Sequence, residues 1–188
     1  YVKSNEFTDD ATLGVSNGIQ AIETTCEQAR EIYISKQLDE LRAAENERVA
    51  QAQANGDTAA TARNFDESDV EYNSAQTDWE SFLSDEDKNS LIASLPDYFS
   101  AEDLYVILAL DYDKLGDILG SLENACNEKL SEGFTAEEQS KKYDEIIISL
   151  TESYELTDGQ ISAFRNFLEN AMNANVVFDE QATKAAQD

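Results

Sequence analysis

Acidic side chains are the only chemically capable residues this sequence holds in quantity. It carries 40 Asp and Glu, 2 Cys and no His. Without histidine there is no imidazole base, no imidazole metal ligand and no Ser-His or Cys-His nucleophile pair. Helical di-iron sites built on Glu-x-x-His are excluded for the same reason. There is no Gly-rich phosphate loop and no G-x-S-x-G elbow. Paired carboxylates can serve as acid and base, but among 40 acids such pairs arise everywhere by chance. The expectation is a protein that is not an enzyme and carries no cofactor.

Cation binding is the chemistry that remains. Asp111-Tyr112-Asp113-Lys114-Leu115-Gly116 opens like a calcium loop, with oxygens at positions one and three and glycine at six. It then departs from the pattern, because Leu115 falls at position five and Leu122 at position twelve. A core helix with exposed acids is the preferred reading of this stretch. Asp66, Glu67, Asp69 and Glu71 form a second acidic run. These four, with Asp111 and Asp113, are weak cation-binding candidates, and no dedicated metal site is expected. Cys26 and Cys126 are the disulfide candidates. A bridge would close a loop of about 100 residues, worth roughly 4–5 kcal/mol on a chain-entropy argument. The alternative is two buried free thiols acting as small apolar groups, and zinc is excluded with only two thiols.

Helices must position these groups. The chain has one proline, Pro96, and 7 glycines in 188 residues, too few breakers for the tight turns of a sheet protein. An apolar residue followed by Ser or Thr and then acids recurs at Phe7-Thr8, Leu83-Ser84, Phe99-Ser100, Phe134-Thr135 and Leu156-Thr157. Such a hydroxyl caps orphan N–H groups, and the acids meet the positive end of the helix dipole. Each cap stabilises by about 1 kcal/mol. Phe99 with Leu104, and Leu156 with Ile161, have hydrophobic-staple spacing.

The fold class expected is all-α: about six to seven helices, a long N-terminal helix packed with a multi-helix bundle, and no sheet. The first helix is predicted over about 9–54, with its apolar stripe at Ile19, Ile22, Cys26, Ala29 and Tyr33, then Ile34, Leu38 and Leu41. Gly14 and Gly18 suggest a later start. Its second half is Ala-, Glu- and Gln-rich, and projects from the body or pairs weakly with a partner. A returning helix is predicted near 68–83, and a short one over 85–95 that Pro96 stops. The most apolar element follows Ser100 up to Gly133, with a break expected near Asp111–Gly116. Gly116 and Gly120 suggest close approach of a neighbouring helix. Two further helices carry Tyr143 to Tyr154 and Ile161 to Met172. Residues 1–83 thus read as a long helix plus a returning helix, and 84–188 as a compact bundle with a short polar C-terminal tail, the two expected to pack as one unit because no Pro-, Gly- or Ser-rich linker divides them.

The net charge is −27 and is spread along the whole chain. Direct contact with nucleic acid or an anionic membrane is disfavoured, and no apolar run is long enough to span a bilayer. The function expected is a non-enzymatic acidic helical structural or assembly protein, a subunit of a larger particle such as a virion, a filament or a granule matrix. Two alternatives are an acidic nucleic-acid mimic that blocks a basic DNA- or RNA-binding protein, and a low-affinity Ca²⁺-responsive matrix protein. Partners are other protein subunits, homo- or hetero-oligomeric, or a basic protein or divalent cations. Ala44, Val49 and Ala52, with Val176, Val177 and Phe178, are the candidate interaction residues. The start at Tyr1 suggests a processed chain or a partial one, within a particle or secreted matrix.

Overall fold

The computed structural model describes residues 2–129 and 135–171, with side chains described over 14–128 and 135–171. Every described element is helical. In chain order they are α1 (Val2–Ala54), α2 (Trp79–Phe82), α3 (Asp85–Ala93), α4 (Ala101–Leu108), α5 (Tyr112–Lys129), α6 (Ala136–Tyr154) and α7 (158–171), with two 3₁₀ turns at Glu67–Asp69 and Ser74–Gln76. The all-α expectation holds. α1 packs on α3, α4 and α5, and α5 packs in turn on α6.

Local capping chemistry starts four of the helices at the expected places. Ser84 Oγ accepts from Asp87 N at 3.1 Å, and Thr135 Oγ1 accepts from Glu138 N at 3.1 Å. Ser100 and Asp103 cap each other reciprocally at 3.1 Å. Thr157 and Gln160 do the same at 3.0 and 3.2 Å. Thr8 differs: it lies inside α1, which begins at Val2. Gly14 and Gly18 do not delay that helix.

Burial then assembles the elements. Ile22, Leu104, Leu122, Ile146, Phe167 and Leu168 are fully buried, and each stabilises by about 1.5–3 kcal/mol relative to exposure. Phe99 stacks on Phe167 with ring centroids 5.9 Å apart. At Gly18 a Cβ would lie 2.3 Å from Phe167 Cε1, so glycine is what lets α1 meet α7 here. Gly116 and Gly120 have open space beside them instead, which corrects the expectation of a close helix approach at α5.

The returning helix over 68–83 is also corrected. Tertiary hydrogen bonds compete with the helix there. Ser74 Oγ turns inward to donate to Leu110 O at 2.5 Å, and Trp79 Nε1 donates to Ser74 O at 3.0 Å. Asp66 and Asp78 cap their own short turns, so the span is broken into two 3₁₀ turns and α2. The break in the most apolar segment falls at 109–111, meeting the predicted place of 111–116 only at Asp111. Asp111 Oδ1 accepts from Asp113 N at 3.1 Å and opens α5. Asp113 to Gly116 are therefore helical, not a calcium loop.

Candidate interaction surface

The buried stripe of α1 ends at Leu38. Residues 39–54 continue for roughly 24 Å of helix at 1.5 Å per residue, and none of them is buried. Ala44 is exposed, while Val49 and Ala52 are half-buried. This distal half is the arm.

Residues 57–66 run back along it. Gln53 Nε2 donates to Ala60 O, Arg48 Nη2 to Thr61 O and Arg42 Nη2 to Phe65 O, each at 3.3 Å. The descending order of donors against the ascending order of carbonyls makes the two segments antiparallel. Arg48 also pairs with Glu45 at 2.5 Å, and Arg63 with Asp69 at 2.9 Å. The Arg48 and Arg63 side chains are exposed while Glu45 is largely covered, and a single pair at such a surface contributes at most about 1 kcal/mol. The arm is held by several weak contacts rather than by a core.

An aromatic cluster fixes the root of the arm to the body. Tyr33 meets Tyr72 and Phe82, each with centroids 5.1 Å apart, and Tyr72 meets Tyr112 edge-on at 5.4 Å. The Arg30 guanidinium lies 5.3 Å from the Tyr112 ring centre. Lys36 ties α1 to the end of α2 and to α3, donating to Phe82 O at 3.2 Å and pairing with Asp87 at 3.0 Å. The Lys36 ammonium bonded to the Asp87 carboxylate, with help from Ser84, holds that carboxyl below its usual range. Burial raises the Tyr72 hydroxyl above the ordinary phenol range.

Charge separates the outer part of the arm from the body, beyond Asp39 and Glu40 at its start. From Arg42 to Phe65 the chain carries Arg42, Arg48 and Arg63 against Glu45, Glu47 and Asp57, a net charge of zero in a chain of −27. Those residue types were all readable beforehand. Sequence reasoning does not single out Arg42, Arg48 and Gln53, because each looks like an ordinary solvated helix residue until segment 57–66 is laid against them.

The acidic candidates fall into two places. Asp66 and Asp69 cap each other's backbone around the first 3₁₀ turn. Hydrogen bonds from the Ser68 hydroxyl and N–H hold the Asp66 carboxyl below its ordinary value. Glu67 lies exposed in the same turn. Glu71, Asp111 and Asp113 do come together, lining a cleft of about 260 Å³ with Tyr72 and Tyr112. Among the described residues no group of three acids or thiols has metal-holding geometry.

Cys26 and Cys126 are free and buried, so the structure does not join them. Burial first, and Glu23 second, pushes the Cys26 thiol up to about 12. Burial and Glu123 do the same at Cys126, also to about 12. Neither thiol is poised as a nucleophile. Val176, Val177 and Phe178 lie outside the described residues. Among the described residues no helix is long and apolar enough to cross a membrane.

Comparison with known proteins identifies the class. The model of the family described as 7TM-HD extracellular (7TMR-HDED) matches residues 7–188, and the chain belongs to that family. No curated protein and no solved structure gives a significant match.

Proposed function

We propose that this chain is a non-enzymatic extracellular assembly module of a 7TM-HD protein, and that it pairs with a second copy of itself through the arm. The observation that carries this reading is the uncharged balance of residues 42–65 on a body of net charge −27. Two such bodies repel one another. Contact through the neutral span 42–65 keeps the bodies apart and brings together the surfaces that repel least. The larger assembly is then the extracellular face of a membrane protein, in place of a virion, filament or granule.

The arm suits a two-fold contact. Its small residues, Ala44 among them, allow helix axes to come within roughly 8–10 Å. Arg42 and Arg48 flank Glu45 and Glu47, so an antiparallel copy shifted off the centre of this run sets Arg48 of each copy against Glu45 of the other. A two-fold interface uses one patch on both copies, which this pattern satisfies. Copies tethered at one membrane also have a high effective concentration, so a weak contact is enough.

Sedimentation equilibrium across protein concentration and salt tests the reading. The expected result is a reversible dimer that strengthens as salt screens the bodies. The double variant Ala44→Glu with Val49→Glu is expected to be a folded monomer. A wild-type chain that stays monomeric throughout, or a double variant that dimerises unchanged, overturns it.

A further inference from the structure

A second feature lies away from the arm. Between α4, the start of α5 and the turn joining α6 to α7 is a cleft of about 440 Å³, within the size range of small-molecule sites. Val106, Leu110, Ile118 and Leu156 give it an apolar floor, and the last three are buried.

Its polar groups carry both signs. Lys114, Asp111, Glu155 and Gln160 line it. Gln160 is only 7% exposed. Its Oε1 accepts from Thr157 N at 3.0 Å, and its Nε2 has no partner among the described residues. The Lys114 ammonium makes no ion pair among the described residues, a state it shares with Arg30, Arg42, Lys88 and Lys141, and of these five it alone lines the cleft. In so acidic a chain, an unpaired lysine over an apolar floor is a place kept for an anionic group. Asp111 Oδ1 accepts from Asp113 N, and Glu155 is held at the turn by a left-handed backbone, φ 53°. These two carboxylates supply the opposite sign at the same rim.

We propose that this cleft binds a compact apolar zwitterion, an apolar amino acid or short apolar peptide. Its carboxylate meets Lys114 and the Gln160 amide N–H, its ammonium meets Asp111 and Glu155, and its side chain covers the floor. A simple anion meets two rim carboxylates on a body of net charge −27. A simple cation leaves Lys114 unpaired, and a neutral apolar molecule covers the polar rim without satisfying it, which costs free energy. The zwitterion alone answers all of these groups.

Isothermal titration calorimetry on the full chain tests this with leucine, phenylalanine and leucyl-leucine as probes. Leucinamide, which lacks the carboxylate, and 4-methylvalerate, which lacks the ammonium, are the comparisons. Saturable binding of at least one zwitterion is expected, with each singly charged analogue weaker by about tenfold or more. The ranking of amino acid against dipeptide shows which source the cleft prefers. Lys114→Gln, an exposed change, is expected to weaken the zwitterion by about tenfold while leaving the helical circular dichroism intact. Val106→Trp, which fills the cleft, is expected to abolish binding. No saturable heat with any zwitterion, equal binding of the singly charged analogues, or unchanged affinity in Lys114→Gln overturns the proposal. Dimerisation through the arm is read separately and does not depend on these outcomes.

Discussion

The two halves of α1 are one continuous helix and yet follow different rules. Over 15–38 the helix supplies Val15, Ile19, Ile22, Cys26, Ala29, Ile34 and Leu38 to the core, and burial makes it rigid. Over 39–54 nothing is buried. There the helix rests on the intrinsic propensity of Ala, Glu, Gln and Arg and on side chains that grip segment 57–66. A helix can therefore outrun its core when its composition is helix-forming, and the part that outruns it is free for another task. The charge divides slightly further out: residues 42–65 balance to zero, while Asp39 and Glu40 at the start of the arm belong with the acids of the body.

Deleting a side chain from each half should widen the contrast most. Ile22→Ala leaves a cavity at a fully buried site and is expected to cost about 2–5 kcal/mol in urea unfolding. Val49→Ala, at a half-buried arm position, is expected to stay within about 0.5 kcal/mol. An Ile22→Ala loss no larger than that of Val49→Ala would erase the distinction.

Glycine gives the next largest effect, with opposite signs at two sites. Gly18→Ala forces a Cβ against Phe167, whose ring is locked between buried neighbours, and is expected to lose about 1–3 kcal/mol. Gly116→Ala enters open space in α5 and is expected to gain up to about 1 kcal/mol. Thermal melts of the two variants should move in opposite directions.

The root of the arm gives the smallest effect and a pH signature. The Asp87 carboxyl is held low by Lys36 in the folded chain. Its contribution is therefore present above the ordinary carboxyl value of about 3.9 and is lost as pH falls through the depressed folded value. Comparing wild type with Lys36→Met cancels the titration of the other acids. The stability gap between them should narrow as pH drops below about 3.9. A gap that widens there would remove Lys36–Asp87 as an anchor.

The helical architecture was legible because capping is local. Ser84, Ser100, Thr135 and Thr157 lie beside the N–H groups they satisfy, so spacing alone located them. The span 68–83 was not legible, since Ser74 and Trp79 answer to Leu110 O and to each other rather than to helical period. Gly18 and Gly116 illustrate the same limit. Both are glycines inside helices, and only the packing partner decides which one a close contact requires. The candidate surface was partly legible: Ala44, Val49 and Ala52 stood out by composition, while the returning segment that covers one side of them depends on long-range hydrogen bonds from Arg42, Arg48 and Gln53.

The arm-to-arm contact is tested most directly by dipolar spectroscopy between spin labels on separate copies. Cys26 and Cys126 are buried with thiols near 12, so a cysteine introduced by Ala44→Cys takes the label selectively. A label at Ile148→Cys, on an exposed site of α6 where the isoleucine is 57% exposed, reports on the body. A short, defined intermolecular distance from position 44, with none from position 148, is the predicted result. No intermolecular coupling at 44, or stronger coupling at 148, would contradict the assignment of the arm as the contact surface.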